Sequence, residues 1–336
     1  MPPELSATTA APRPLFSGHG LTRPQIVLGA LALLAIVSII CFMVVDAKGS
    51  WSFVIPFRGR KLLGLVLVAY SVAVSTVLFQ TATNNRILTP SIMGFDQLYV
   101  LLQTGLVFFF GITSIVSLDP NVHFALEMVV MIGFASLLFS WLFLWQERSL
   151  HLLVLVGIVF GIMFRSVIQF MQRIMDPNAF NVLQDTFFAS FSRVDTNHLL
   201  FAYGVLALVT IVIVRMVNVF DVLNLGRANA INLGVDYKRT ITIMLIMISV
   251  LVAISTALVG PVSFFGLLVA SLAHSLVGSS HHKYVLPAAA LLAVTCLVGG
   301  QTLLERVFAF DTALSIIIEF LGGIVFIVLV LRRAAR

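Results

Sequence analysis

Runs of about 20 apolar residues, the length that crosses a hydrocarbon core, follow one another along almost the whole chain, separated by short polar interruptions. The pattern predicts ten membrane-spanning helices, at about residues 26–45, 61–80, 95–116, 124–144, 151–171, 198–217, 240–259, 262–277, 285–304 and 313–331. A polar loop over 46–60 separates the first two, and a mixed segment at 173–197 holds a short helix near 178–191. Each run is long enough to pair its own backbone in lipid as a helix. The expected fold class is an all-α integral membrane protein.

Two of the interruptions are full of breaker residues. The first follows the second run, over Thr81-Ala-Thr-Asn-Asn-Arg-Ile-Leu-Thr-Pro-Ser-Ile-Met-Gly94, and the second is Gly260-Pro261 at the end of the seventh. Irregular backbone at membrane depth is tolerated where it is buried in protein or lines a cavity. Asn84, Asn85, Pro90, Gly94 and Pro261 are therefore candidate pathway or helix-break residues. An internal repeat precedes both breaks: Val72-Ala-Val-Ser-Thr-Val-Leu78 resembles Val252-Ala-Ile-Ser-Thr-Ala-Leu258. The copies are five spans apart, so they cross in opposite directions. Two inverted five-helix repeats with a pathway at their interface are a transporter signature.

The longest polar interruption of the second half is the stretch 221–239. Gly226, Ala230 and Gly234 fall at i, i+4 and i+8, so on one helix they form a small-residue face that another surface can approach. Asp221 or Asn224 is the expected N-cap, and Gly234 the left-handed residue that ends the helix.

Composition and charge set the solvent and the orientation. The chain is 60% hydrophobic and 10% charged, too few charges to cover a water-facing surface. The net charge of +6 sits at the ends of apolar runs, with no basic stripe for nucleic acid. With both termini in the cytoplasm, twelve basic residues lie inside and seven outside, Arg165 falling within a span; the positive-inside rule favours this orientation, although the four basic residues before the second span run against it. It places the stretch 221–239 in the cytoplasm. Residues 1–25 read as a disordered cytoplasmic tail and 26–333 as the membrane domain. Cys41 and Cys296 lie in apolar runs and read as small hydrophobes.

No HExxH, GxSxG, GxGxxG or Walker-type GxxxxGK[ST] motif is present, so the chain has no recognisable means of hydrolysing ATP. His274, His281 and His282 lack a cysteine or carboxylate nearby in sequence to complete a metal site. Ionisable residues inside spans are functional candidates; here they are Asp96, Glu127, Arg165 and Glu319. A proton-coupled secondary carrier would load its proton on such carboxylates.

Several stretches resemble, in the same order, the permease family of bacterial ABC importers for iron–siderophores, heme and vitamin B12. They are Arg58-Gly-Arg-Lys61, Asn84–Gly94, Ala189-Ser-Phe191, Gly226-x-x-x-Ala-x-x-Leu-Gly-Val235, Gly260–Leu267, Gly278-Ser-Ser-His-His282 and Gly322–Phe326. The resemblance covers about residues 26–333. It implies a non-catalytic subunit of the bacterial inner membrane that pairs with a second permease, itself or a paralogue, above two ABC ATPase subunits. ATP would bind the partner ATPase, and no cofactor or metal would bind this chain. Gly226, Ala230, Leu233 and Gly234 would form the coupling element on the ATPase. Arg58, Lys61 and Arg306 would meet acidic residues of a periplasmic or lipid-anchored siderophore-binding protein. Arg227-Ala228 departs from the acidic residues common after the family's first glycine, which points to a joint particular to its own ATPase. Asn-Asn-Arg-Ile-Leu-Thr-Pro resembles the iron–siderophore branch, particularly catecholate types. Heme or vitamin B12 cargo and a proton-coupled carrier are the alternatives.

Overall fold

The computed structural model describes residues 22–47, 50–111, 119–146, 150–187 and 196–306, together with Ile317, Phe320, Gly323, Ile324 and Ile327. Residues 1–21, Ala189–Phe191, Glu319 and most of the tenth expected span lie outside the described residues. The helices are α1 (Arg23–Val44), α2 (Trp51–Thr83), α3 (Phe95–Phe110), α4 (Pro120–Gln146), α5 (Leu150–Ile174), α6 (Pro177–Phe187), α7 (Thr196–Leu223), α8 (Arg227–Asn232), α9 (Tyr237–Val259), α10 (Phe265–Val277) and α11 (His282–Arg306). A 3-10 turn, Pro90–Met93, precedes α3. Nine of the expected spans coincide with described helices. Seven of them are long and apolar enough to cross a membrane, while α3 and α10 are shorter.

The largest revision concerns 46–60. A loop was expected there, but α2 starts at Trp51, after Ser50, and continues through Pro56 and the basic cluster as one 33-residue helix. Arg58 and Lys61 look like a polar break in sequence, yet both find partners beside α2, so the helix carries them without interruption. At the other end of the bundle α10 has only 13 residues, because Gly260 at φ 101° and Pro261 turn the chain before it begins.

α2 and α9 are the most buried of the membrane-crossing helices, and they pack against each other at the centre. α2 also packs on α11 as α9 packs on α4. These pairs are equivalent under the internal repeat, in which α2 corresponds to α9 and α4 to α11. Beside aromatics such as Phe79 and Phe265, the core holds small and aliphatic side chains, such as Ala69, Ala73, Val77, Ala253 and Ile254; small residues let helix backbones approach closely.

Candidate functional site

The repeated motif meets itself at the centre of the fold. Val72, Ser75 and Thr76 of α2 and Val252, Ser255 and Thr256 of α9 line one cavity of about 20 Å³, enough for about one water. The hydroxyls are held alike: Ser75 Oγ donates to the Val72 carbonyl at 3.1 Å, and Ser255 Oγ to the Val252 carbonyl at 3.0 Å. Both chain breaks close over the cavity, Pro90 and Ser91 from one side and Gly260, Val262 and Ser263 from the other. Asp96 ties them together. Its buried carboxyl group, in the first turn of α3, accepts from the Ser263 hydroxyl.

Each break residue has a specific part. Asn84 ends α2 in the left-handed region at φ 48°, and the Asn85 side chain accepts from the Ile87 amide at 3.0 Å. Pro90 opens the 3-10 turn, and Gly94 joins it to α3 at φ 86°. A Cβ on Gly94 would lie 3.0 Å from the Gly161 Cα of α5, so the first break is pressed backbone to backbone on α5. Pro261 is half-buried between Gly260 and α10. Of the other intramembrane acids, Glu127 accepts from Gln103 and lies 3.4 Å from His123 Nδ1.

The stretch 221–239 differs from the expected single helix. α8 has six residues, so Gly226 and Gly234 flank it instead of sharing a face with Ala230. Gly226 is the N-cap, at φ 89° and ψ 164°, in place of Asp221 or Asn224. Gly234, at φ 82°, closes α8 through two bonds: its own amide donates to the Ile231 carbonyl, and that of Val235 to the Ala230 carbonyl. A left-handed glycine is the residue this closure needs. Ala230 is fully buried against the rest of the chain, whereas Leu225, Ile231 and Leu233 are exposed. The outward surface thus carries a ridge of Leu225, Ile231 and Leu233 beside the exposed Arg227, Asn229 and Asn232, and the glycines shape it. Arg227 lies over the Tyr237 ring at 5.6 Å.

Asp221 and Asn224 anchor the base of this element. The Asp221 carboxylate accepts from the His282 backbone amide and His282 Nδ1, each at 2.7 Å, and from His281 Nδ1 at 2.9 Å. Nδ1 must carry the proton in both rings, because a carboxylate only accepts. His282 Nε2 reaches Thr81 Oγ1 at 2.7 Å, and the Asn224 side chain donates to the Ser280 carbonyl at 3.3 Å. The end of α7, the α10–α11 turn and the end of α2 are thereby joined around an open cleft of about 780 Å³ that includes Asn84, Asn85 and Arg86. Sequence reading treated the histidines as a loop pair; their acidic partner lies 60 and 61 positions away.

At the opposite end Arg58, Lys61 and Arg306 have partners within the chain, while Arg60 is exposed. Arg58 is buried and donates to the carbonyls of Phe42, Met43, Val45 and Asp46 at 2.7–3.1 Å. Helices leave their last carbonyls unpaired, and one guanidinium satisfies those of α1. Lys61 pairs with Glu305. Arg306 lies 3.9 Å from Asp46 and 3.7 Å from Glu305. Arg58 therefore does not present itself to a partner as the sequence suggested; it seals α1 onto α2. Arg58→Ala is expected to cost about 1–3 kcal/mol, the penalty of unpaired buried acceptors, and to lower the melting temperature of the detergent-purified protein. Arg58→Lys should recover only part, since an ammonium lacks the planar fork; an unchanged melting temperature in Arg58→Ala would remove the capping role.

The FecCD transport family pattern matches residues 22–332. The chain is 44% identical over 310 residues to the petrobactin import system permease protein YclO of Bacillus subtilis (strain 168), covering 92% of this chain and 98% of that one. It is 34% identical over 284 residues to the petrobactin import system permease protein FatC of Bacillus anthracis, covering 84% and 80%. Among solved structures it resembles a metal-chelate type ABC transporter in an inward-facing conformation, with a TM-score of 0.79 at 22% identity, covering 92% of this chain and 99% of that one. The repeat crossing, the paired breaks and the glycine-bounded α8 thus occur in a chain that belongs, over nearly its whole length, to the FecCD transport family.

Proposed function

We propose that this chain is the permease of an ATP-driven importer that carries a ferric siderophore across the bacterial inner membrane into the cytoplasm. The observation that carries this reading is the likeness to a petrobactin import permease over 92% of the chain. Petrobactin, named for both relatives, is the first cargo to try. Two permeases pair, two ABC ATPases dock on the cytoplasmic side, and a periplasmic or lipid-anchored binding protein delivers cargo from the other. Both termini lie in the cytoplasm.

ATP hydrolysis belongs to the partner. The ridge Leu225–Ile231–Leu233 seats on it, with Gly226, Ala230 and Gly234 setting the ridge's shape. The far end, sealed by Arg58 on α1 and by the pairs of Lys61 and Arg306 with Glu305 and Asp46, faces the binding protein. The repeat crossing at Ser75 and Ser255 is where the two halves rock between inward- and outward-open states. Asp96 and Glu127, the carboxylates a proton-coupled carrier would use, accept here from Ser263 and Gln103.

Purification in detergent with the cognate ATPase and binding protein, followed by reconstitution, tests this. Ferric petrobactin should stimulate ATP hydrolysis and accumulate inside vesicles only with ATP. Stimulation by heme or vitamin B12 instead would reassign the cargo. Uptake that needs a proton gradient and no ATP would overturn the importer itself.

A further inference from the structure

Arg165 lies within the apolar span of α5 and is exposed on the surface of the chain. The buried face of α5 runs through Gly157, Gly161, Phe164 and Ile168, and α5 packs on the 3-10 turn and α3. Arg165 stands outside that face, with Gln169 and Arg173 exposed at i+4 and i+8. This spacing makes one polar stripe along the helix.

Lipid does not cover such a stripe cheaply. An arginine at membrane depth faces protein or a water-filled cavity, unless its side chain can reach an interface. The nearer end of α5 is its C-terminus, about 14 Å beyond Arg165 at 1.5 Å per residue. Helical side chains lean toward the N-terminus, so Arg165 leans away from that interface. Among the described residues no carboxylate pairs with it. A wet passage closed by a second permease, as in the importer proposed above, is an environment that accommodates such a stripe.

We infer that Arg165 lines the cargo pathway and binds the anionic face of a metal chelate through its guanidinium, with Gln169 as a neighbouring hydrogen-bond donor. This rests on the importer reading above. Ferric iron wrapped by catecholate or carboxylate oxygens carries net negative charge, whereas a ferric trihydroxamate is neutral. A guanidinium matches paired anionic oxygens with two parallel donors.

The test uses the assembled permease–ATPase complex in vesicles, with Cys41 and Cys296 replaced by alanine. In Arg165→Cys, the introduced thiol should react with a charged, membrane-impermeant thiol reagent. A ferric tricatecholate should slow that reaction, and a ferric trihydroxamate should not. In the otherwise native complex, Arg165→Gln should lower ferric tricatecholate uptake about thirtyfold or more, the scale of losing a desolvated charge pair, with ATPase assembly intact. Arg165→Lys should restore a substantial part. An inert thiol, equal protection by both chelates, or wild-type uptake by Arg165→Gln would overturn the assignment. So would equal loss of uptake and assembly, which marks a structural role. Failure of the cargo reading looks different: the wild type would import no ferric chelate, while the thiol chemistry would still report on Arg165.

Discussion

Gly266→Ala should destabilise the protein sharply although it adds a single methyl group. A Cβ at this position would collide with Thr76 Oγ1 and sit 3.2 Å from both Thr76 Cβ and Val72 Cγ1. Thr76 cannot swing aside easily. Its hydroxyl donates to the Val72 carbonyl at 2.7 Å, and β-branching restricts its χ1. α10 must therefore move off α2, in a core where overpacking costs about 1–3 kcal/mol or more. The melting temperature of the detergent-purified permease reads this directly. Adding Thr76→Ala removes the closest atom and should recover most of the loss, giving a large coupling in a double-mutant cycle. If Gly266→Ala melts with the wild type, α10 does not pack closely on the repeat crossing.

That contact also shows which parts of the fold were legible in sequence. Hydrophobic run length is a local property, and it located nine described helices. The seven-residue repeat was legible for the same reason, and its two copies do meet, Ser75 and Ser255 lining one cavity. Partnerships across the chain were not legible. Lys61 and Glu305 are 244 positions apart, so the basic cluster read as a loop and as a docking patch. In the fold it seals the ends of α1, α2 and α11. Asp221 likewise read as an N-cap, because its histidines arrive from the α10–α11 turn. The face drawn through Gly226, Ala230 and Gly234 failed for a different reason. It assumed helical periodicity through two glycines, and both adopt positive φ, which ends a helix instead of continuing it.

Those two glycines carry the largest expected effect on transport, and they should not behave alike. Gly226 at φ 89° and ψ 164° occupies a region open to glycine alone, where another residue costs of order 1–3 kcal/mol. Gly234 at φ 82° closes α8 in the left-handed region, which asparagine also visits. A Cβ would meet nothing within 4 Å at either site, so the strain lies in the backbone and not in packing. Gly226→Val and Gly234→Val should each distort the ridge of Leu225, Ile231 and Leu233 and abolish ATP-driven uptake, while the buried helices keep the protein inserted and monodisperse. Gly234→Asn should transport at a rate near wild type, and Gly226→Asn should not. Uptake in reconstituted vesicles, together with co-purification of the ATPase, separates these outcomes. Equal activity of the two asparagine variants would mean that the conformation of Gly226 does not control the joint. Full transport by both valine variants would remove α8 as the coupling element.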